Sequence, residues 1–450
     1  MISLDGYRKR RAMIACLGYA AFACGPLHAA GVTQPAAQPQ LNSHSPEAQR
    51  ARRITASPQF KAAVAAFGHD HDQFVQDLIT LTEIPAPPFG ERERGQYFLK
   101  RLSEFGLENV EMDPEGNTMG VLRGRKHGRL LAIAAHLDTV FPAGTDVKVK
   151  REGTTLRAPG VSDDTHALAL ILAMLRAMRT AHLEPENDIL FIGDVGEEGP
   201  GDLRGMRYLF GKGAYKDRIG KFISIDGPMP ENSITNVGLG SRRFKVTFTG
   251  PGGHSWVDFG EVNPAFALGG ALERLGRLKV PTDPKVSYSV GVVSGGTSVN
   301  SIPFETSMQV DMRSSSPPEL DQVEAALRQS VAEAVAEENA TRSTAKGRIA
   351  ADIQLIGNRP AGAVSPDSPI LRQVTATLAS FGKTTVFETE STDSNIPISL
   401  GIPAFTMTGG SAKTGGRAHS LDEWAVVDAD EDARNFAISL AIALSVDAQE

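Results

Sequence analysis

Eight side chains stand out because they are of types that bind divalent metal ions and lie mostly in short clusters along the chain. All are His, Asp or Glu, and they are His136, Asp138, Asp163, Asp164, Glu197, Glu198, Asp226 and His419. Both cysteines, Cys16 and Cys24, lie near the N-terminus, so the rest of the chain offers no thiolate ligand. Nitrogen and oxygen donors suit zinc, and cobalt or manganese less selectively. These residue types therefore predict a metal site that can activate water for hydrolysis.

Most of these clusters stand directly after a predicted β-strand. Continuous apolar runs predict strands at 130–135, 189–194, 222–225 and 402–408, and the Asp163-Asp164 pair precedes a helix predicted at 167–181. The carboxyl ends of the strands in an open α/β sheet form a ligand-binding crevice, so we expect the clusters to meet there. Each cluster alone is more often a surface pair or a turn. The prediction rests on their shared position.

The alternation of strands and helices indicates the fold class. It predicts an α/β domain whose mostly parallel sheet carries helices on both faces, beginning with one helix over 58–82. From about residue 240 the pattern becomes β-α-β-β-α-β, which is typical of a ferredoxin-like α+β unit. We therefore predict a catalytic domain in two parts, 54–239 and 357–450, with a lid domain inserted at 240–356.

The first 53 residues differ from the rest in composition. Four basic residues at 8–11 and the apolar run 12–23 predict a signal peptide over 1–29, and hence export across the inner membrane to the periplasm. A short amphipathic or disordered terminus and lipid anchoring at Cys24 are the less favoured alternatives. Residues 30–53 are rich in Gln, Pro, Ala and Ser and are predicted to form a flexible linker.

Charge and hydropathy argue against two classes of partner. The net charge is −7 and no basic face stands out, which disfavours nucleic acid and anionic membrane surfaces. The apolar run at 12–23 is too short to span a bilayer. The composition, 41% hydrophobic and 22% charged, is that of a globular protein.

Taken together, the clusters resemble the motifs of the M20 family of metallopeptidases, which includes peptidase T, carnosinase-type dipeptidases and related deacylases. The matching motifs are Ala135-His136-Leu137-Asp138-Thr139-Val140, Gly160-Val161-Ser162-Asp163-Asp164, Gly196-Glu197-Glu198-Gly199, Ile225-Asp226-Gly227 and Ala418-His419-Ser420. In the inserted domain the likeness continues through Gly252-Gly253-His254-Ser255, Asn300 and Asp311-Met312-Arg313. It extends from about Phe74 to the C-terminus.

The resemblance implies a role for each residue of the centre. One zinc ion would take His136 and Asp226, the other would take Glu198 and His419, and Asp163 would bridge them. Glu197 would be the general base, and Asp138 would orient the ring of His136. A cis peptide bond between Asp163 and Asp164 is also implied.

In the inserted domain the resemblance implies that His254, Asn300 and Arg313 bind substrate. The histidine would come from the lid of a partner subunit and stabilise the oxyanion, so a homodimer through the lid domain is expected. The asparagine and arginine would grip the substrate backbone or carboxylate. The alternative is that these three residues are polar only because they lie near strand ends, and that they do not bind substrate. The segment 392–395 is interpreted as a loop that lines the cleft or as a plain turn.

The function predicted from these residues is a di-zinc exopeptidase or dipeptidase acting on short peptides. An N-acyl amino-acid deacylase on the same scaffold is the alternative, because the bond cleaved is of the same kind. An inactive binding protein of this fold is disfavoured, since neither Glu197 nor any ligand is missing. Thr165 and His166 stand where many family members have Lys and Gly. We expect neither to be a ligand, and His166 to lie behind the ligands or to face solvent.

Overall fold

The computed structural model describes residues 44–410 and 415–448. The predicted signal peptide, Cys24 and linker residues 30–43 lie outside the described residues. The helices are α1 Pro46–Ala56, α2 Pro58–His69, α3 His71–Glu83, α4 Arg92–Glu104, α5 Thr165–Thr180, α6 Arg204–Gly211, α7 Pro264–Gly276, α8 Pro317–Thr341, α9 Pro369–Ser380, α10 Asn395–Ser399 and α11 Ala429–Asp447. Among the described residues, no helix combines the length and hydropathy needed to cross a membrane.

The strands form one large sheet and three smaller ones. They are β1 Glu108–Met112, β2 Thr118–Leu122, β3 Leu130–His136, β4 Lys150–Glu152, β5 Thr155–Arg157, β6 Ile189–Asp194, β7 Ile219–Ile225, β8 Ser233–Gly238, β9 Gly240–Thr249, β10 Gly253–His254, β11 Val286–Gly295, β12 Ser301–Ile302, β13 Glu305–Ser314, β14 Ala350–Arg359, β15 Gly362–Ala363, β16 Val386–Glu390, β17 Ala404–Met407, β18 Gly415–Gly416 and β19 Trp424–Val426.

The large sheet has the order β1-β2-β6-β3-β7-β17-β8-β15, with β16 also paired to β8. Its central strands β6, β3, β7 and β17 are parallel to one another, whereas the pairs β1–β2, β2–β6, β17–β8 and β15–β8 are antiparallel. Every residue of β3 and β6 is buried, as expected for parallel strands covered on both faces. The prediction of a mostly parallel central sheet is confirmed.

Alternate residues of β3 enter two separate apolar cores. Ile133 and Ala135 pack in the core that contains α5 and α11, and Ala132 and Ala134 pack in the core that contains α6 and α10. This alternation follows from the twofold side-chain period of a strand. The helices therefore cover both faces of the sheet, as predicted.

A separate four-stranded sheet lies within residues 240–359. Its order is β11-β13-β9-β14 and all of its pairs are antiparallel. Helices α7 and α8 share an apolar core with it. This is the predicted ferredoxin-like arrangement. Strand β14 continues to Arg359, so the predicted lid boundary at residue 356 falls inside this strand.

Two predictions near the N-terminus are wrong. Residues 46–53, predicted to be flexible, belong to α1, which is capped by Ser45 and held by an ion pair between Glu47 and Arg372 (3.1 Å). The single helix predicted over 58–82 is two helices, α2 and α3, that meet at Asp70. The residues at this junction are Gly68, His69 and Asp70, and Gly and Asp are poor helix formers.

Thr165 and His166 open α5, and both side chains are buried. The Thr165 hydroxyl donates to the carbonyl oxygen of Gly160 (2.7 Å) and lies 2.7 Å from the Thr82 hydroxyl. The His166 ring contacts the Gly409 carbonyl oxygen and the edge of Phe74. The solvent-facing alternative for His166 is therefore wrong.

We predict that Thr165→Val lowers the free energy of unfolding by about 1–3 kcal/mol, because the buried Gly160 carbonyl loses its donor. Urea unfolding followed by circular dichroism would measure the change. Thr180→Val is the matched control, since Thr180 is exposed at the end of the same helix. Equal stability changes in the two variants would contradict the role assigned to the Thr165 hydroxyl.

Candidate metal centre

His136 is the last residue of β3, and each of its ring nitrogens lies close to a polar partner. Its Nδ1 lies 3.0 Å from the main-chain carbonyl oxygen of Asp138, which can only accept a hydrogen bond. Nδ1 is therefore the protonated nitrogen, and Nε2 is the nitrogen that can bind a metal ion. Nε2 lies 3.0 Å from Asp163 Oδ1 and 3.8 Å from Asp226 Oδ1.

Asp163 lies between two imidazole rings that come from distant parts of the chain. Its Oδ1 faces His136, and its Oδ2 lies 3.2 Å from His419 Nε2. The same nitrogen of His419 is 2.8 Å from Glu198 Oε1. The peptide bond between Asp163 and Asp164 is cis, as the resemblance implied. One carboxylate thus presents a separate oxygen to each half of the cluster.

The five predicted ligands occupy one cluster with two overlapping halves. Ligand atoms of His136, Asp163, Asp164 and Asp226 lie within 4.8 Å of one another, and so do those of Asp163, Glu198 and His419. Each half combines imidazole and carboxylate donors, the combination that zinc takes in proteins without cysteine. The halves share Asp163, and each half could hold one ion.

The electrostatics of the cluster also fit bound cations. Burial raises the pKa of Asp226 to about 7; His136 opposes this rise, and Asp163 and Glu198 add to it. Carboxylates packed this closely repel one another unless positive charge lies between them. The donor set and its excess of negative charge therefore match divalent metal ions.

Glu197 and Glu198 are neighbours that point to different partners. Glu198 faces His419, whereas Glu197 Oε1 accepts a hydrogen bond from Arg359 Nη1 at 2.8 Å. Burial raises the pKa of Glu197 to about 8, which Arg359 opposes and Glu198 reinforces. Its carboxylate still lies within 4.8 Å of ligand atoms of His136 and Glu198. A carboxylate with a pKa near neutrality can both accept and release a proton.

Asp138 contacts the ring of His136, as the resemblance implied, and does so through its main chain. The ring is held by the Asp138 main-chain carbonyl, and the Asp138 carboxylate is farther from it, at 3.6 Å. That carboxylate instead accepts hydrogen bonds from the main-chain N–H groups of Gly196, Glu197 and Glu198, at 2.9–3.0 Å. Asp138 therefore positions the Glu197-Glu198 loop as well as the ring.

Glu423 is a buried carboxylate that sequence analysis missed. It accepts hydrogen bonds from the main-chain N–H groups of Gly160, Ser162 and Asp163, and from the Ser162 hydroxyl, at 2.7–3.0 Å. It also lies next to β19, which pairs with β5 and so joins the His419 segment to the Asp163 segment. In the sequence, Glu423 follows the predicted ligand His419 by four residues, and this proximity was the feature that could have drawn attention to it.

The lid residues are divided between two places. Arg313 lines the same cavity as the metal cluster, a space of about 490 Å³, and its Nε lies 2.8 Å from Asp311 Oδ2. His254 and Asn300 are exposed and are not among the residues that line this cavity. They lie close to each other, because Ser255 N–H donates to the Asn300 carbonyl oxygen (3.0 Å). Within one chain, the cluster is therefore assembled without His254 and Asn300.

The segment 392–395 combines both of the alternatives considered. All four residues are buried, and Thr392 also lines the cavity. The hydroxyls of Thr392 and Ser394 both contact the Thr406 hydroxyl, at 2.6 and 2.7 Å. The segment is a packed part of the cavity wall.

Three further charged residues of the cavity were not predicted from the sequence. They are Arg243 on β9, Arg359 at the end of β14 and Glu390 at the end of β16. Each belongs to a strand. The alternation of residue types along a strand predicts which side chains are buried and which are exposed, but it does not predict which of them line a cavity. Their positions in the cavity depend on how the lid sheet meets the large sheet.

Comparisons with known proteins place the chain in a peptidase family. A family model described as "Peptidase family M20/M25/M40" matches residues 132–442. The N-acetylcysteine deacetylase of Bacillus subtilis (strain 168) is 25% identical over 261 residues, which are 54% of this chain and 65% of that protein. The chain spans between about a third and two thirds of the length of the curated relatives it matches.

Two solved structures share the fold at low sequence identity. Aminopeptidase PepT from Bacillus cereus ATCC 10987 has a TM-score of 0.67 at 18% identity, covering 84% of this chain and 98% of its own. The Bacillus subtilis YXEP protein, described as a dinuclear metal-binding peptidase, has a TM-score of 0.61 at 19% identity, covering 83% and 98%. Since the family model matches well over half of the chain, this protein belongs to peptidase family M20/M25/M40.

Proposed function

We propose that this protein is a di-zinc peptidase that cleaves short peptides from one end, with Glu197 as general base. The observation that carries the proposal is the position of Asp163, whose two oxygens lie 3.0 Å from His136 Nε2 and 3.2 Å from His419 Nε2. A carboxylate placed in this way is suited to bridge two cations. His136 and Asp226 would hold one ion, and Glu198 and His419 the other.

The bound ions would acidify a water molecule and polarise the scissile carbonyl. Glu197 would take the proton of the attacking water and pass it to the departing amine. Arg359 supports this role, because it fixes one oxygen of Glu197 and leaves the carboxylate beside the ligand cluster. Arg313 lines the cavity and carries a guanidinium group that can bind a substrate carboxylate.

The second candidate function is removal of an acyl group from an N-acyl amino acid. The Bacillus subtilis relative named N-acetylcysteine deacetylase favours it. The residues around the metal cluster would serve both reactions, since each cleaves an amide bond. Activity against matched peptides and N-acyl amino acids, with zinc and with cobalt, is the measurement that separates them.

A homodimer through the lid is the third part of the proposal. The lid exposes large apolar side chains near His254, including Trp256 and Phe259, each 84% exposed. Exposed apolar patches of this kind mark interaction surfaces. Strand β11 is also an edge strand of the lid sheet, and a free edge can pair with another chain. A partner's lid could then bring its His254 to this cavity.

We predict that the purified protein contains two zinc ions per chain and loses its peptidase activity to a chelator. Elemental analysis by mass spectrometry gives the stoichiometry, and re-addition of zinc to the stripped protein should restore turnover. Circular dichroism of the stripped protein would control for unfolding. Full activity in folded, metal-free protein would refute the mechanism.

We predict that Glu197→Gln keeps both metal ions and lowers kcat roughly 10²- to 10⁴-fold, because the amide cannot accept the proton of the water. Metal content and melting temperature, measured on the same preparation, control for damage to the site and for the altered contact with Arg359. Near-normal turnover at full metal occupancy would remove Glu197 as the base.

We predict that His254→Ala lowers turnover roughly 10²- to 10³-fold without changing the metal content. Mixing this variant with Glu197→Gln, followed by subunit exchange, should restore activity, because a mixed dimer has one cavity with an intact base and a partner's intact His254. Light scattering would report the dimer. A monomeric protein, or mixed samples as inactive as their parents, would exclude a histidine acting between subunits.

A further inference from the structure

Glu390 is an acidic residue of the cavity wall that the proposed mechanism does not use. It ends strand β16, is exposed, and lines the cavity together with the metal cluster. Among the described residues, no cation forms an ion pair with its carboxylate and no group donates a hydrogen bond to it. The cavity partly desolvates this carboxylate, and that effect, together with repulsion from Glu388, raises the pKa of Glu390. A cation placed beside it would be stabilised.

The other carboxylates among the described lining residues already have partners. Asp163, Glu198 and Asp226 belong to the ligand cluster, and Glu197 is paired with Arg359. Once the ligand cluster is neutralised by metal ions, Glu390 is the negative charge that remains on the cavity wall.

The lid contributes an excess of positive charge to the same cavity. Arg243 Nε lies 3.1 Å from Asp311 Oδ1, and Arg313 Nε lies 2.8 Å from Asp311 Oδ2. Two guanidinium groups thus share one carboxylate, which leaves one positive charge uncompensated. Both arginines line the cavity, and such groups bind carboxylates well.

The backbone holds Glu390 close to the reacting groups. Its carbonyl oxygen accepts a hydrogen bond from Leu239 N–H (2.7 Å), and β16 pairs with β8 along its length. The next residue, Ser391, places its hydroxyl 3.0 Å from Arg359 Nη1, the atom that also holds Glu197. A side chain on a paired strand is positioned more precisely than one on a loop.

We propose that Glu390 binds the free amino group of the substrate, while the Arg243–Arg313 pair binds its carboxylate. This inference rests on the proposed peptidase function and narrows its substrate class to short peptides with both ends free. Such a peptide is a zwitterion at neutral pH, and its two charges match the two uncompensated charges of the cavity. An N-acyl amino acid would satisfy the arginines but would leave Glu390 facing an uncharged acyl group, which costs binding energy.

The test compares dipeptides with analogues that lack only the amino group. Alanyl-leucine and N-propionyl-leucine form one such pair, and the analogue is itself an N-acyl amino acid. The zinc-loaded wild-type protein should cleave the dipeptide with the higher kcat/KM. In Glu390→Gln, the ratio of the two kcat/KM values should fall roughly 10- to 100-fold, the contribution of a hydrogen bond to a charged group.

Glu388→Gln is the matched control, because it removes the same charge from the same strand at a residue outside the cavity lining. Its ratio should equal that of the wild type. The inference is overturned if the wild type prefers the N-propionyl compound, if Glu390→Gln affects both substrates equally, or if Glu388→Gln shifts the ratio as much. If the protein is not a zinc-dependent amide hydrolase, neither compound is cleaved in a zinc-dependent way. Zinc-dependent cleavage of the N-propionyl compound in preference to the dipeptide would instead support the deacylase candidate.

Discussion

The whole centre depends on one carboxylate held between two imidazole rings. Asp163 meets His136 from the end of β3 and His419 from near the C-terminus, residues that are separated by most of the catalytic domain in sequence. This placement is electrostatically costly without cations, because Asp226 and Glu198 crowd the same space. It therefore requires firm support from the surrounding backbone, and divalent ions held in the candidate site would balance the charges.

Two buried carboxylates provide that support in the same way. The Asp138 carboxylate accepts hydrogen bonds from three main-chain N–H groups of the loop that carries Glu197 and Glu198. The Glu423 carboxylate accepts hydrogen bonds from three main-chain N–H groups and one hydroxyl of the loop that carries Asp163. Because charged acceptors form the stronger hydrogen bonds, these contacts fix both loops around the candidate metal site. The strand pairing of β19 with β5 then sets the distance between the two loops.

Two arginines of the lid contact the loop that carries Glu197 and Glu198, in addition to the chain connections between the lid and the catalytic domain. Arg359, at the end of the last lid strand, holds Glu197, and Arg243 donates to the carbonyl oxygen of Gly199, the residue after Glu198. The loop that carries Glu197 and Glu198 is therefore in contact with the lid sheet. A shift of the lid sheet would therefore act on the loop that carries Glu197, the proposed base.

The sequence by itself determined the α/β class and the ferredoxin-like insertion, because strand ends and helical patterns are local properties of the chain. Together with the family resemblance of its motifs, it also predicted the residues of the candidate metal cluster. It could not identify Arg359, Glu423 or Glu390, whose contacts join segments far apart in sequence. It also misassigned α1, since a polar composition conceals a helix that is stabilised by packing against α9. Tertiary structure alone decided which charges meet, because charges interact through distance in space and not through spacing along the chain.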